Sequence, residues 1–132
     1  MARDGTVIGL PPPQSALNQI FQMPGVRYDA RQLLWLFRIA PVVEVTFTWH
    51  ASPTRKAADL FTRETLIGSV GPTSGGAIYG NQLNNLLGAK IKLVHGYPGM
   101  TEILLALERG EVEGTTKPWA GIKAENGDWL KE

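Results

Sequence analysis

The sequence has no cysteine, which excludes a disulfide framework, a thiol nucleophile and a thiolate-bound metal. That absence is compatible with the cytoplasm and with a bacterial periplasm. Histidine is nearly as scarce. His50 and His95 are the two present, and neither has the E-x-x-H companion that a zinc site would show. Long apolar runs are missing as well. Residues 33–49 form the longest apolar region, yet Arg38, Pro41 and Glu44 interrupt it, whereas a membrane-spanning helix needs about 20 mostly apolar residues. At the N-terminus, Arg3 and Asp4 precede a short apolar stretch that ends at Leu10 before a run of prolines. A signal peptide needs roughly 7–15 apolar residues, so no export signal is expected in the chain as written. An excess of one charge is also lacking. A net charge of +1 gives no basic footprint for nucleic acid and no acidic tail.

What is present is ordinary in kind. With 43% hydrophobic and 19% charged residues over 132 positions, the composition is that of a globular protein. The length suffices for one domain that buries roughly two-thirds of its unfolded surface.

Along the chain, residues 6–10 read as a short buried strand after an Asp4-Gly5 turn. Residues 15–21 read as a short helix with Leu17, Ile20 and Phe21 on one side. Asp29 opens a turn, and residues 33–39 are strand-like. The cleanest periodicity follows: Val43, Val45, Phe47 and Trp49 alternate with Glu44, Thr46 and Thr48, as in a strand with one solvated face. Ser52-Pro53 then looks like the N-cap and first position of a helix reaching Phe61. An apolar run at residues 66–70 ends in the loop Gly71-Pro72-Thr73-Ser74-Gly75-Gly76. A helix opens from that loop, with Tyr79, Leu83, Leu86 and Leu87 on one stripe and Gly88 at its end. Residues 89–95 form the next strand. A helix over residues 100–109 buries Met100, Ile103, Leu104 and Leu107, a strand covers residues 111–116, and Pro118-Trp119 starts a last helix.

Strand and helix thus alternate through the second half, which predicts an α/β fold in three layers around a mostly parallel sheet. In such sheets ligands bind outside the carboxyl ends of the strands. Residues 71–76, 96–99 and 115–118 all follow strands and belong on that side. The chain stops at Asp128-Trp129-Leu130-Lys131-Glu132, where another strand is expected, so it reads as cut short.

The loop before the second-half helix has the make-up of an anion site: small residues feeding a helix whose first N–H groups lack partners and whose dipole is positive there. A carboxylate or a phosphate suits it, and so does a bare strand-to-helix connection. No Gly-Lys-Ser/Thr follows, and Gly71, Gly75 and Gly76 do not fit G-x-G-x-x-G, so a nucleotide is disfavoured and no cofactor is expected. A carboxylate on the N–H groups and hydroxyls of Thr73 and Ser74 survives. Ser69 and Ser74 lack the G-x-S-x-G elbow of a nucleophile. His95 shares strand parity with Ile91 and Leu93, which reads as a packed or strand-end residue, and His50 reads as solvated. Glu111 and Glu113 point the same way and read as a solvated pair. Tyr97 and Trp119 are candidates for stacking or for plain packing.

Three pieces together resemble a family. They are Asp4-Gly5-Thr6 before a strand, Lys92-Leu93-Val94-His95-Gly96-Tyr97-Pro98-Gly99, and Leu104-Leu105-Ala106-Leu107-Glu108-Arg109-Gly110-Glu111-Val112-Glu113-Gly114. They look like the substrate-binding receptors of tripartite tricarboxylate transporters, the Bug family of periplasmic solute-binding proteins. Such receptors have two α/β lobes of the type II periplasmic-binding-protein kind, with the ligand between them. The resemblance implies that residues 51–132 are most of the second lobe, and residues 1–50 a remnant of the first with the crossover strands. It implies a periplasmic, non-catalytic receptor for a small organic acid that delivers to the membrane components of a transporter. Its cleft residues would be Thr73, Ser74, Gly75, Gly76, Tyr97 and Gly99, faced by residues 12–15, Ser15 among them. Arg3 replaces the usual proline before Asp-Gly, and Gly99-Met100 stands where many members have a second glycine. A half-cleft encloses a ligand poorly, and a homodimer would cover surface left bare by an incomplete first lobe. The alternatives are a small α/β enzyme acting on a carboxylated or phosphorylated metabolite, with His95, Glu111 and Glu113 as acid–base candidates, or a truncated reading frame with no activity of its own.

Overall fold

Short apolar segments bounded by glycine, proline and threonine become the strands of a single sheet, because each needs a paired neighbour to satisfy its backbone. The structure, a computed structural model, describes residues 6–11 and 15–130. The strands are β1 (Glu44–Thr48), β2 (Thr65–Gly68), β3 (Ile91–Val94) and β4 (Gly114–Pro118), in the order β1-β4-β2-β3. β2 runs parallel to β3 and to β4, and β1 is antiparallel to β4. The helices are α1 (Ser15–Ile20), α2 (Asp59–Thr62), α3 (Gly75–Leu87), α4 (Met100–Glu108) and α5 (Trp119–Glu125). Among the described residues no helix is long and apolar enough to cross a membrane.

Crossovers between parallel strands are right-handed. α3 steps outward from β2 to β3, whereas α4 steps back past β2 to β4, so the two helices cover opposite faces. Glycines mark both approaches. A Cβ at Gly80 of α3 would lie 2.9 Å from Leu93, and one at Gly68 of β2 would lie 2.9 Å from Ile103 of α4. On the α3 face Ile67, Ala89 and Ile91 are buried, with Leu60, Leu83 and Leu93 against them. On the α4 face Ala106, Leu107 and Val112 are buried beneath Phe47, Trp49, Val94 and Tyr97. Each fully buried aliphatic side chain contributes about 1.5–3 kcal/mol. The three-layer, mostly parallel α/β arrangement read from the sequence is the one observed.

Contacts divide the chain into Met1–Ala40 and Pro41–Glu132, and the alternating strand β1 pairs within the latter. The former is held by polar clasps. Gln19 donates to Asp29 (3.1 Å) and accepts from the Ala30 N–H (2.7 Å), and the Trp35 indole donates to the Ala30 carbonyl. The strands expected at residues 6–10 and 33–39 are not formed. Neither stretch pairs with a strand, and Ile8, Leu10, Leu34, Phe37 and Ile39 are exposed.

Three further expectations are corrected. The helix predicted from Ser52-Pro53 shrinks to α2, because the Ser52 hydroxyl bonds Glu113 and receives the Thr54 N–H instead of capping. Asp59 takes the N–H groups of Arg55 and Lys56. On α3 the buried residues are Ala77, Ile78 and Gly80, while Leu86 and Leu87 are exposed. The close approach at Gly80 turns that face to the sheet, and Asn84 bonds both the N–H and the carbonyl of Ile91 at the edge strand. The last strand is shifted to Gly114–Pro118, so residues 115–118 lie in the strand and not in a loop after it.

Candidate functional site

The connection from β2 leads to one side of the sheet while β4 lies on the other. This makes the carboxyl ends of β2 and β4 a topological switch point, the place where such sheets hold ligands. α3 begins there. Its N-cap is Ser74, in extended conformation, whose hydroxyl accepts from the Ala77 N–H (3.4 Å) and donates to the Gly71 carbonyl (2.7 Å). The N–H groups of Gly75 and Gly76 belong to the first turn and have no acceptor within the helix. No acidic residue sits in that turn, so the positive end of the dipole is uncompensated. Gly76 rests on β4, where a Cβ would come within 3.2 Å of the Thr116 side chain. At the far end, Gly88 at φ 72° closes the helix in the left-handed conformation, which glycine adopts without strain.

Under this helix start the sheet presents a polar row that strand order alone does not reveal. Thr46 faces Thr116 across β1 and β4, and their hydroxyls lie 2.8 Å apart. The β2–β4 register places Ser69 beside Thr116, and the β2–β3 register places His95 beside Ser69. Ser69 Oγ is 2.6 Å from His95 Nδ1, and the Ser69 N–H donates to the Val94 carbonyl. Ser69 and His95 follow Ile67 and Leu93 by two residues and so face α3. Ser69 and Thr116 are buried, whereas His95 is exposed. Sequence reasoning named Ser69 and His95 separately and missed the pair. The available signal was that each stands one residue past an apolar run of adjacent strands.

Of the other sequence-derived candidates, Thr73 is half-buried on the turn before Ser74. Tyr97 and Gly99 lie after β3, at the same edge. The Tyr97 ring packs on the α4-face core, and Gly99 caps α4 with the Glu102 carboxylate against it. The α4 start is therefore already faced by its own acid, unlike that of α3. Trp119 opens α5, with the Lys123 ammonium over its ring. Ser15 lies in α1, buried, its carbonyl accepting from the Tyr28 hydroxyl at 2.6 Å. Asp4, Gly5, Pro12, Pro13 and Gln14 fall outside the described residues.

Glu111 and Glu113 belong to the amino edge of the sheet, away from His95. The expected solvated pair is corrected for Glu113, whose side chain is only 16% exposed. It receives two hydrogen bonds from the Arg63 guanidinium, at 2.6 and 3.1 Å, and one from Ser52 at 2.8 Å. Arg63 also donates to Thr54, whose hydroxyl meets that of Thr65. The guanidinium, ahead of the Ser52 hydroxyl and the Leu66 N–H, holds the Glu113 carboxyl below its ordinary range against the opposing effect of burial. Arg63 is correspondingly shifted up by Glu113. A recess of about 130 Å³ beside this network is lined by Trp49, Pro53, Leu107 and Val112 among others. Its one carboxylate, Glu113, is already taken by Arg63. Among the described residues no group of three or more histidine or acidic side chains is placed to hold a metal.

Neither a family model nor a curated protein matches this sequence. Among solved structures, the crystal structure of a TctC solute-binding protein from Polaromonas, without ligand, superposes with a TM-score of 0.52 at 18% identity. The likeness is one of fold. It covers 67% of this chain and 31% of that one, so the chain corresponds to under a third of the Polaromonas protein's length. The α/β sheet and its helices form part of a solute-binding-protein fold, the fold to which the sequence resemblance pointed.

Proposed function

We propose that the chain is part of a non-catalytic solute receptor that grips a small carboxylate at the carboxyl edge of the sheet. The observation that supports this reading best is the start of α3: two glycine N–H groups behind a serine cap, with no acid in the first turn. In this reading Thr73, Ser74, Gly75 and Gly76 hold the anion, Tyr97 and Gly99 flank it, and Ser15 belongs to the opposing lobe. Residues 51–132 are then most of the second lobe, and residues 1–50 a remnant of the first with the crossover strands, β1 among them. The receptor works in the periplasm and passes an organic acid to the membrane components of a tripartite transporter. The exposed apolar side chains of residues 6–39 are covered by a second copy of the chain. An enzymatic reading would need an acid–base group beside the anion loop. Of its three candidates only His95 stands at that edge.

Calorimetry with mono-, di- and tricarboxylates tests the reading. The wild-type chain binds at least one of them, and Ser74→Ala combined with Gly75→Val abolishes the heat. A Cβ at Gly75 meets nothing closer than the Tyr79 ring at 3.6 Å, so the branched side chain of valine begins in free space beside the N–H groups it is meant to crowd. Binding that is absent in the wild type, or unchanged in the double variant, overturns the carboxylate site. Turnover of a carboxylated or phosphorylated metabolite would overturn the non-catalytic part.

A further inference from the structure

The outermost strands of the sheet are β1 on one flank and β3 on the other, and the two flanks are finished differently. On β3 the carbonyls of Lys90 and Val94 accept from β2, so by alternation the main-chain groups of Ile91 and Leu93 point outward. The Asn84 side chain, reaching over from α3, takes both groups of Ile91, accepting from its N–H at 2.8 Å and donating to its carbonyl at 2.7 Å. On β1 the Trp49 N–H donates to the Glu113 carbonyl, and the Trp119 N–H donates to the Val43 carbonyl. The odd-numbered residues thus bond β4, and the N–H and C=O groups of Glu44, Thr46 and Thr48 point away from the sheet. Among the described residues nothing bonds to them. β1 also has none of the devices that blunt a flank strand: no proline, no lysine and no bulge in its register. Val42 and Val43, just before it, are 50% and 61% exposed.

An unblunted strand of this kind is a template for another strand, and the sequence of β1 suits a second copy of itself. Paired antiparallel about a two-fold axis at Thr46, the whole strand meets the whole strand. Thr46 then faces its own equivalent, and Glu44 faces Thr48 of the partner subunit, each pair exchanging main-chain hydrogen bonds. Val45 falls opposite Phe47 of the partner subunit, a β-branched residue against an aromatic one, which favours cross-strand pairing. Like charges do not meet, whereas an axis at Glu44 would set two carboxylates face to face. Asn84 half closes the β3 flank, so pairing through β1 uses the open flank of each copy and stops at two, not at a filament. We infer that the chain forms a two-fold dimer by antiparallel pairing of β1 with β1, one sheet running through both copies. This gives a contact strand to the second copy of the reading above, on which it rests, and is independent of the carboxylate site.

Sedimentation equilibrium of the whole chain over a concentration series tests it, with amide hydrogen exchange followed residue by residue. Monomer and dimer are the species expected. The amides of Glu44, Thr46 and Thr48 gain protection as the dimer fills, and that of Leu93 does not. Thr48→Glu sets a carboxylate against Glu44 of the partner subunit, twice by symmetry, and weakens the dimer about tenfold. Adding Glu44→Lys turns each clash into an opposite-charge pair and restores the dimer, a rescue that simple damage to β1 would not show. Thr48→Glu also loses the bond to the Thr54 carbonyl; should it not fold, the exchange pattern of the wild type decides alone. A chain that stays monomeric at every concentration, or that assembles without limit, overturns the inference. A dimer with unprotected β1 amides, or one indifferent to Thr48→Glu, overturns it too and leaves the second copy on the exposed apolar side chains of residues 6–39. If Glu44→Lys fails to restore what Thr48→Glu removes, the register about Thr46 is refuted. None of these results bears on the carboxylate site, which calorimetry decides.

Discussion

The two ends of the sheet handle polar groups in opposite ways. At the amino edge Glu113, Arg63, Ser52, Thr54 and Thr65 are bound to one another, two of them as a forked ion pair. At the carboxyl edge the Ser74 hydroxyl is used twice, yet the N–H groups of Gly75 and Gly76 have no acceptor within the helix and His95 is exposed. Buried polar groups that satisfy each other stabilise a fold, while preorganised donors left open suit a ligand. The amino edge thus holds the structure together, and the carboxyl edge is where we propose that a ligand binds. Substitutions at the amino edge should be read out in stability.

The largest effect is expected at Gly114, where β4 begins. A Cβ there would fall on the Phe47 carbonyl oxygen of β1 and within 3.0 Å of the Ile67 side chain. Backbone cannot give way as a side-chain tip can, so Gly114→Ala should cost about 3 kcal/mol, measured by urea unfolding. A loss under about 1 kcal/mol would mean that β1 is not bound tightly to β4 and that the amino edge does less than its contacts imply.

Arg63→Ala comes next. It leaves Glu113 with only Ser52, Thr54 and the Leu66 N–H, and should cost about 2 kcal/mol near neutral pH. The sign of the pH dependence follows from the lowered Glu113 pKa. The folded carboxyl stays charged at pH values where the unfolded chain, titrating near roughly 4.3, has begun to take up its proton. The contribution is therefore complete above that value and fades as pH falls through the folded pKa. Asp29 and Asp59 are held low as well, so acid also weakens the variant. What distinguishes Arg63→Ala is a smaller loss of stability on acidification than in the wild type. Equal acid slopes would show that the fork contributes nothing specific.

The two edges were also unequally legible in the sequence. The start of α3 could be read because a cap is local: Ser74, two glycines and the closing Gly88 sit within one stretch of chain. β2, β3 and α4 were legible for the same reason, each an apolar run with glycine or proline beside it. What escaped depends on register and on distant partners. Ser69 meets His95, and Arg63 meets Glu113, only once parallel strands are aligned residue by residue. Ser52 looked like a helix cap because Ser-Pro is one in isolation, but a part-buried carboxylate sixty-one positions away claims its hydroxyl. Residues 6–10 and 33–39 have strand composition with no strand to pair with, and pairing decides.

Glu111 gives the smallest effect and the sharpest control. It stands two residues before Glu113, and strict alternation would give both carboxylates the same surroundings. The chain instead bends through residues 111–113, between the turn at Gly110 (φ 75°) and the start of β4, and the two part company. The Glu111 side chain is 53% exposed and lies 3.9 Å from an Arg109 that is itself 69% exposed. An exposed pair at that distance is worth roughly 0–1 kcal/mol, so Glu111→Gln should move stability by less than about 0.5 kcal/mol. Glu113→Gln, which keeps the shape but removes the charge that Arg63 grips, should cost several times more and flatten the acid slope. Were the two glutamines to cost the same, Glu113 would be a surface carboxylate after all, and the contrast between a self-satisfied amino edge and an open carboxyl edge would lose its central residue.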